Sequence, residues 1–422
     1  MRHIFDQYSQ PENRITHALV SGLAQDHALL RRFVQWVTGK RLSRQTKFQI
    51  TEQTLPGEIE TDEQITAERG LPDAWIYTES GWALLIESKI SARVQASQLT
   101  RHLKIAQRRG FPDSQLMVLA TEDNIKRLPE GIIGLSWRQV YEWLCEQSNK
   151  HPWARNVQTY MEIAEAKMVQ AGYLKEGTIT KFSGIPFNRD YPFNYLEAKR
   201  LLGLIMGELK MKKSLQKLGI DPNLPGRGAI KAHKGWSVWD FMRLKDSKDA
   251  KDFTKYPHLT VGIHADKAVA LITLPDKAKR VIGKRVFGKG QAAFNILIFN
   301  IAKNMRNVLS LDSSVQPYVK VLQRHYPQGQ SGPAVNDAEL KYDLRAVLQN
   351  DKKKFPKYQP QWLEATYEVM TNKKSNIQFE VGIEIPYRES QIVHTAKAIS
   401  VFEQGFLALQ PFLKQALISD GR

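Results

Sequence analysis

Ala74-Trp75-Ile76-Tyr77 and Trp82-Ala83-Leu84-Leu85-Ile86 are apolar, aromatic and β-favouring, and only the turn formers Thr78-Glu79-Ser80-Gly81 separate them. A chain with that pattern has to double back as a β-hairpin. With the turn centred near residue 80, cross-strand partners sum to about 160, so Asp73 and Glu87 stand opposite one another, their Cβ atoms roughly 5 Å apart. Side chains alternate along a strand, so Glu87 and Lys89 share a face while Ser88 points away. The hairpin therefore predicts two carboxylates and an ammonium converging at one end of a sheet.

That donor set has a definite chemistry. Two adjacent carboxylates repel, and one is pushed towards its neutral form unless a cation sits between them. Hard oxygen ligands select Mg²⁺ or Mn²⁺, and Mg²⁺ takes one or two carboxylates while keeping waters and substrate phosphate oxygens. Such an ion activates a bound water and neutralises a leaving oxygen, and Lys89 is placed to orient or deprotonate that water.

The sequence Leu71-Pro72-Asp73, followed by Glu87-Ser88-Lys89 at the end of an apolar strand, resembles the PD-(D/E)XK nuclease superfamily over about residues 10–150. The resemblance implies a restriction-endonuclease-like core, a mixed sheet flanked by helices, with Asp73 and Glu87 as metal ligands. It also implies that Glu12, opening the first predicted helix, assists the metal or the lysine. Gln98 would orient the nucleophile or backbone, with Gln95 as its alternative. The superfamily often places a tyrosine four residues after that glutamine; here His102 stands there, and its role is left open. The competing reading is a structural hairpin carrying a surface salt bridge, with Glu12 serving only the helix dipole.

At 422 residues the chain exceeds one typical core. We expect an α/β nuclease-like domain over 1–172, a turn-rich linker over 173–193, and a basic α+β domain over 194–422. Charge follows that division. Residues 1–150 hold 19 Lys and Arg against 18 Asp and Glu, and the remainder holds 42 against 25. A near-neutral unit joined to a strongly basic one suits chemistry in the first and grip on a polyanion in the second. Cys145 is the single cysteine, so an intrachain disulfide is excluded and a reducing, cytoplasmic setting is expected. No signal peptide and no membrane span are legible.

Apolar periodicity predicts a helix, or a broken pair, from Glu12 to Thr38, ended by Gly39. A strand over 47–55, an acidic loop over 56–70, the hairpin, a helix over 94–107, strands over 115–120 and 131–136, and helices to 146 and over 151–172 follow. In the second half, strands are expected at 235–244, 258–264, 268–274 and 376–385. Helices are expected at 194–218, 292–309, 338–348, 361–371 and 390–413. Basic clusters lie at Lys277, Lys279, Arg280, Lys284, Arg285 and Lys289, at 352–354 and at 373–374. The first is interleaved with glycines, as a flexible phosphate-binding loop would be, and Lys279, Arg280, Lys284, Arg285 and Lys289 are its nucleic-acid candidates. Trp236, Trp239 and Phe241 read chiefly as core, with base stacking as the alternative; His258 and His264 read as structural or as phosphate contacts.

The expected function is a Mg²⁺- or Mn²⁺-dependent endonuclease acting on DNA in preference to RNA, in phage defence or restriction, as a homodimer or with partner subunits. The alternatives are an inactive nucleic-acid-binding protein on a nuclease fold and an RNA-cleaving effector.

Overall fold

A computed structural model describes residues 4–5, 10–40, 43, 45–56, 71–90, 92, 94–125, 128–129, 131–226, 237–245, 255–276, 278, 282–327, 334–348, 356–372 and 376–417, without the side chains of 11, 12, 123 and 124. The expected acidic loop over 57–70, Trp236, Lys277, Lys279, Arg280 and the clusters at 352–354 and 373–374 lie outside these residues. The chain divides into two compact units, 1–181 and 182–422.

In the first unit the apolar run after residue 10 folds as a broken pair, α1 (Pro11–Gln25) and α2 (His27–Thr38). Asp26 sits between them and its carboxylate accepts the Leu29 N–H at 2.9 Å, capping α2. Gly39 closes α2 with φ of 67°, a left-handed conformation that glycine adopts without strain. Next come β1 (Gln49–Glu52), β2 (Ala74–Tyr77), β3 (Trp82–Lys89), α3 (Ala96–Arg108), β4 (Asp113–Ala120), α4 (Glu122–Ile125), β5 (Ile133–Ser136), α5 (Trp137–Gln147) and α6 (Pro152–Gln170). The five strands form one sheet in sequence order. β1, β2 and β3 are antiparallel, whereas β4 and β5 run parallel to β3. The fold is mixed α/β.

Position in this sheet explains the composition of β3. Ala83 to Ser88 are all buried, because a central strand with helices on both faces is dry on both sides. Ala74, Ile76, Leu84 and Ile86 join the core containing α1, α2, α5 and α6 residues. Trp75, Ala83 and Leu85 point the other way and pack with Leu99 and Ala106 of α3. The odd-numbered residues of the hairpin therefore face α3.

Residues 173–193 do not form an open linker. Ile179 and Thr180 are buried in the first unit, where the Glu165 carboxylate accepts their N–H groups at 2.8 and 3.2 Å. Phe182, Ile185 and Phe187 belong to the core of the second.

The second unit contains α7 (Tyr195–Met211), α8 (Lys213–Lys217), β6 (Ser237–Met242), β7 (His258–His264), β8 (Lys267–Leu274), α9 (Ile282–Phe287), α10 (Gln291–Leu311), β9 (Gln316–His325), β10 (Val335–Asp343), α11 (Arg345–Leu348), α12 (Pro360–Thr371), β11 (Ile377–Pro386), α13 (Ala398–Ala408) and α14 (Gln410–Leu417). Its six-stranded sheet runs β10-β9-β11-β8-β7-β6, antiparallel throughout. One sheet face, carrying Ala268, Ala270, Ile272, Val319, Val381 and Ile383, packs into the helical core.

Several sequence expectations are corrected here. The helix expected over 338–348 is strand β10 followed by the single turn α11, because pairing with β9 overrides the helix-forming Ala338-Glu339-Leu340-Lys341. β9 itself was not expected. The helix over 194–218 breaks at Lys212, whose ψ of 115° is extended. The one over 390–413 begins only at Ala398 and breaks at Leu409. The glycine-interleaved basic cluster is no flexible loop over residues 282–287. It is helix α9, with Ile282, Val286 and Phe287 buried.

Candidate active site

The hairpin register is 74↔86, 75↔85, 76↔84 and 77↔83, so the pairing extended by one step sets Asp73 opposite Glu87. The turn is closed by the Thr78 N–H donating to the Trp82 carbonyl at 2.9 Å. Gly81 takes φ of 85°, which the tight turn requires. Asp73 leads into β2, where its own carbonyl accepts the Gln53 N–H at 2.9 Å. Its carboxylate turns onto β3 and accepts the Ser88 N–H at 2.6 Å, which holds it against the residue between Glu87 and Lys89.

Glu87 is 1% exposed, and a carboxylate so far from water requires partners for both oxygens. Oε1 accepts from Lys89 Nζ at 2.7 Å and from the Gln98 side-chain amide at 2.7 Å. Oε2 lies 3.0 Å from His102 Nε2. An ionised carboxylate only accepts, so His102 carries its proton on Nε2; Nδ1 is buried and makes no hydrogen bond. Burial raises the Glu87 pKa, but the His102 hydrogen bond and the Lys89 ammonium outweigh it and leave the group below its ordinary value. Lys89 is 17% exposed at its side chain, so its ammonium stands at the boundary between Glu87 and solvent.

Gln98 and His102 reach Glu87 because they are four residues apart on α3, one above the other on the face that meets β3. The structure thus brings Asp73, Glu87, Lys89 and Gln98 together. It adds His102, whose place in the buried stripe with Leu99 and Ala106 was the signal available in the sequence. Gln95 is exposed at the N-cap of α3, away from this cluster of bonds. Glu12 lies on α1, and its side chain is outside the described residues.

Mg²⁺ needs few protein ligands, and two carboxylates beside open coordination positions suffice. Asp73 and Glu87 fit that requirement by donor type. Among the described residues no group of three or more His, Cys, Asp or Glu is placed to hold an ion, so an all-protein cage is not what this site offers. Lys89 already supplies Glu87 with one positive partner.

In the second unit, Lys284 and Lys289 are exposed. Arg285 instead donates to the Ala416 carbonyl at 3.3 Å, while its own carbonyl accepts from Gln415 at 3.1 Å. It therefore joins α9 to α14 as well as contributing charge. Phe241 is buried with its ring centroid 4.6 Å from that of His258, which is core packing. Among the described residues no helix is long and apolar enough to cross a membrane.

No protein-family model matches the chain, and no curated protein matches its sequence.

Proposed function

We propose that the N-terminal unit hydrolyses phosphodiester bonds with Mg²⁺ or Mn²⁺, and that the basic C-terminal unit grips the nucleic acid, DNA in preference to RNA. The observation that carries this reading is the meeting of Asp73, Glu87 and Lys89 at one end of β3. A divalent ion bound there supplies an activated water and neutralises charge on the leaving oxygen.

The chain's own residues do the rest. Asp73 and Glu87 hold the negative charge that recruits the cation, and the hydrogen bonds from Ser88, Gln98 and His102 fix their orientation. Gln98 and His102 act as positioning residues, because both are committed to Glu87. Lys89 keeps an ammonium at the solvent edge, where it orients the attacking water and stabilises charge building on the phosphoryl oxygens. Lys284 and Lys289 belong to the gripping surface. A cytoplasmic location, a role in phage defence or restriction, and assembly as a homodimer or with partner subunits are parts of the same proposal.

One observation favours the rival reading of an inactive binding protein on this fold: every Glu87 oxygen already has a protein donor. Incubation with supercoiled plasmid in Mg²⁺ or Mn²⁺, with EDTA and Glu87→Ala in parallel, separates the two. Cleavage abolished by both controls supports the nuclease. Cleavage that survives either, or none under any metal, contradicts it. RNA, single-stranded DNA and duplex DNA offered together distinguish an RNA-cleaving effector.

A further inference from the structure

The six-stranded sheet of the second unit alternates strictly. Its even-numbered β8 residues enter the helical core, while Lys267, Val269, Leu271 and Thr273 line the other face. That other face is a hollow of about 510 Å³, within the range of small-molecule sites.

Cross-strand register makes its layout explicit. One row reads Lys341, Lys320, Glu380, Thr273, His258 across β10, β9, β11, β8 and β7. Two steps along, the next reads Tyr318, Gly382, Leu271, Thr260, Phe241. A third reads Glu384, Val269, Gly262, Trp239. Gly382 and Gly262 stand where a side chain would otherwise project into the hollow, and their absence of a Cβ helps make the face concave. Val269, Leu271 and Tyr318 form a buried apolar floor.

Charges of both signs ring this floor. Glu380 and Glu384 are buried. Glu380 pairs with Lys320 at 2.7 Å, and Glu384 with Lys341 at 2.8 Å and Lys267 at 3.0 Å. Buried ion pairs contribute little net stability compared with apolar residues of similar volume, so their presence on a strand face asks for another use. Arg324 lines the hollow, and its Nε is buried without a hydrogen-bond partner. Burial pushes His258 down to about 4, so it faces the hollow as a neutral imidazole.

A bare polyanion does not suit this face, because three carboxylates, Glu339, Glu380 and Glu384, repel it. The matching ligand presents hydrogen-bond donors to carboxylates, an anion to Arg324, and a flat π face to Trp239. We infer that the hollow binds a single nucleotide, with an amino-bearing base at Glu380 and Glu384 and its phosphate at Arg324. Carboxylates accept from exocyclic amino groups such as that of cytosine. The choice of a nucleotide rests on the phosphodiester reading above, and the ligand is either a free nucleotide or a base turned out of a strand.

Calorimetry of the full chain tests this with dCMP and dTMP, and with single-stranded oligo-dC and oligo-dT. dCMP or oligo-dC is expected to bind about tenfold more tightly than its thymine counterpart. Glu380→Gln is expected to erase that preference, and Arg324→Gln to weaken both bases alike. Mononucleotide binding identifies a free ligand and strand-only binding an extruded base, and both support the inference. No binding by any probe, no base preference, or affinity unchanged in both variants overturns it. If Glu380→Gln fails to fold by circular dichroism, Arg324→Gln decides alone. Plasmid cleavage in the same preparations keeps the two readings apart: cleavage without nucleotide binding removes the hollow's role only, and binding without cleavage removes the nuclease only.

Discussion

Replacing Glu87 is the most informative perturbation of the site, because three donors depend on one buried carboxylate. Glu87→Ala leaves Lys89 Nζ, the Gln98 amide and His102 Nε2–H without their acceptor. Lys89 and Gln98 are partly exposed and can turn to water, but His102 is fully buried. A stranded buried donor costs about 1–3 kcal/mol, and breaking a buried charge pair by removing one member costs about 3–5 kcal/mol. Urea unfolding followed by circular dichroism should therefore show Glu87→Ala less stable by about 3–5 kcal/mol at neutral pH. Glu87→Gln keeps the shape and an acceptor for Lys89, and moves the His102 proton to the partnerless Nδ1. Its cost should be about 1–3 kcal/mol. Replacing both members, Glu87→Leu with His102→Leu, removes the stranded groups together and should be less destabilising than Glu87→Ala alone. A Glu87→Ala loss under about 1 kcal/mol, the value of an exposed pair, would refute this reasoning, as would a double replacement costing the sum of its singles.

Glu87 and Asp26 both titrate below their ordinary values of 4.5 and 3.8, in each case because hydrogen bonds and charge outweigh burial. Their stabilisation is complete above those ordinary values and is lost as pH falls through the lower folded ones, so urea midpoints should hold from neutrality to about pH 5 and decline below about pH 4. A midpoint that rises on acidification would contradict that. Burial raises the Cys145 thiol to about 12, so iodoacetamide should label the native protein slowly at neutral pH and rapidly in urea, as judged by mass spectrometry. Lys284→Glu should weaken DNA binding and flatten its salt dependence while leaving the urea midpoint unchanged. Arg285→Glu should lower that midpoint as well, because it breaks the bond to Ala416.

The hairpin was legible because two independent signals agreed: turn-forming residues in one short block, and β-favouring apolar runs on either side. Its register followed arithmetically, and Asp73, Glu87 and Lys89 came with it. Gln98 was favoured over Gln95 only by a resemblance; the structure distinguishes them by helix phase, since Gln98 and His102 share the face of α3 that meets β3. His102 could have been found the same way, as a polar residue in the stripe of Leu99 and Ala106. β10 was misread for a physical reason. It is an edge strand, exposed over most of its length, so burial imposed no alternation, and helix-forming residues were free to occupy it. Its strand state comes from β9, which local propensity cannot see. Arg285 was misassigned in part because charge clustering does not reveal which guanidinium reaches a distant carbonyl.

Single-turnover cleavage of plasmid DNA by wild type and by Lys89→Gln, at saturating Mg²⁺, tests the central claim most directly. Lys89 stands beside Glu87 at the solvent edge of the site, and a positioned acid or base contributes about 10²–10⁴-fold to rate. The account predicts metal-dependent cleavage by the wild type, and a fall of about that size in the variant with DNA affinity retained. Equal rates in the two proteins, or a wild type that leaves DNA intact, would contradict it.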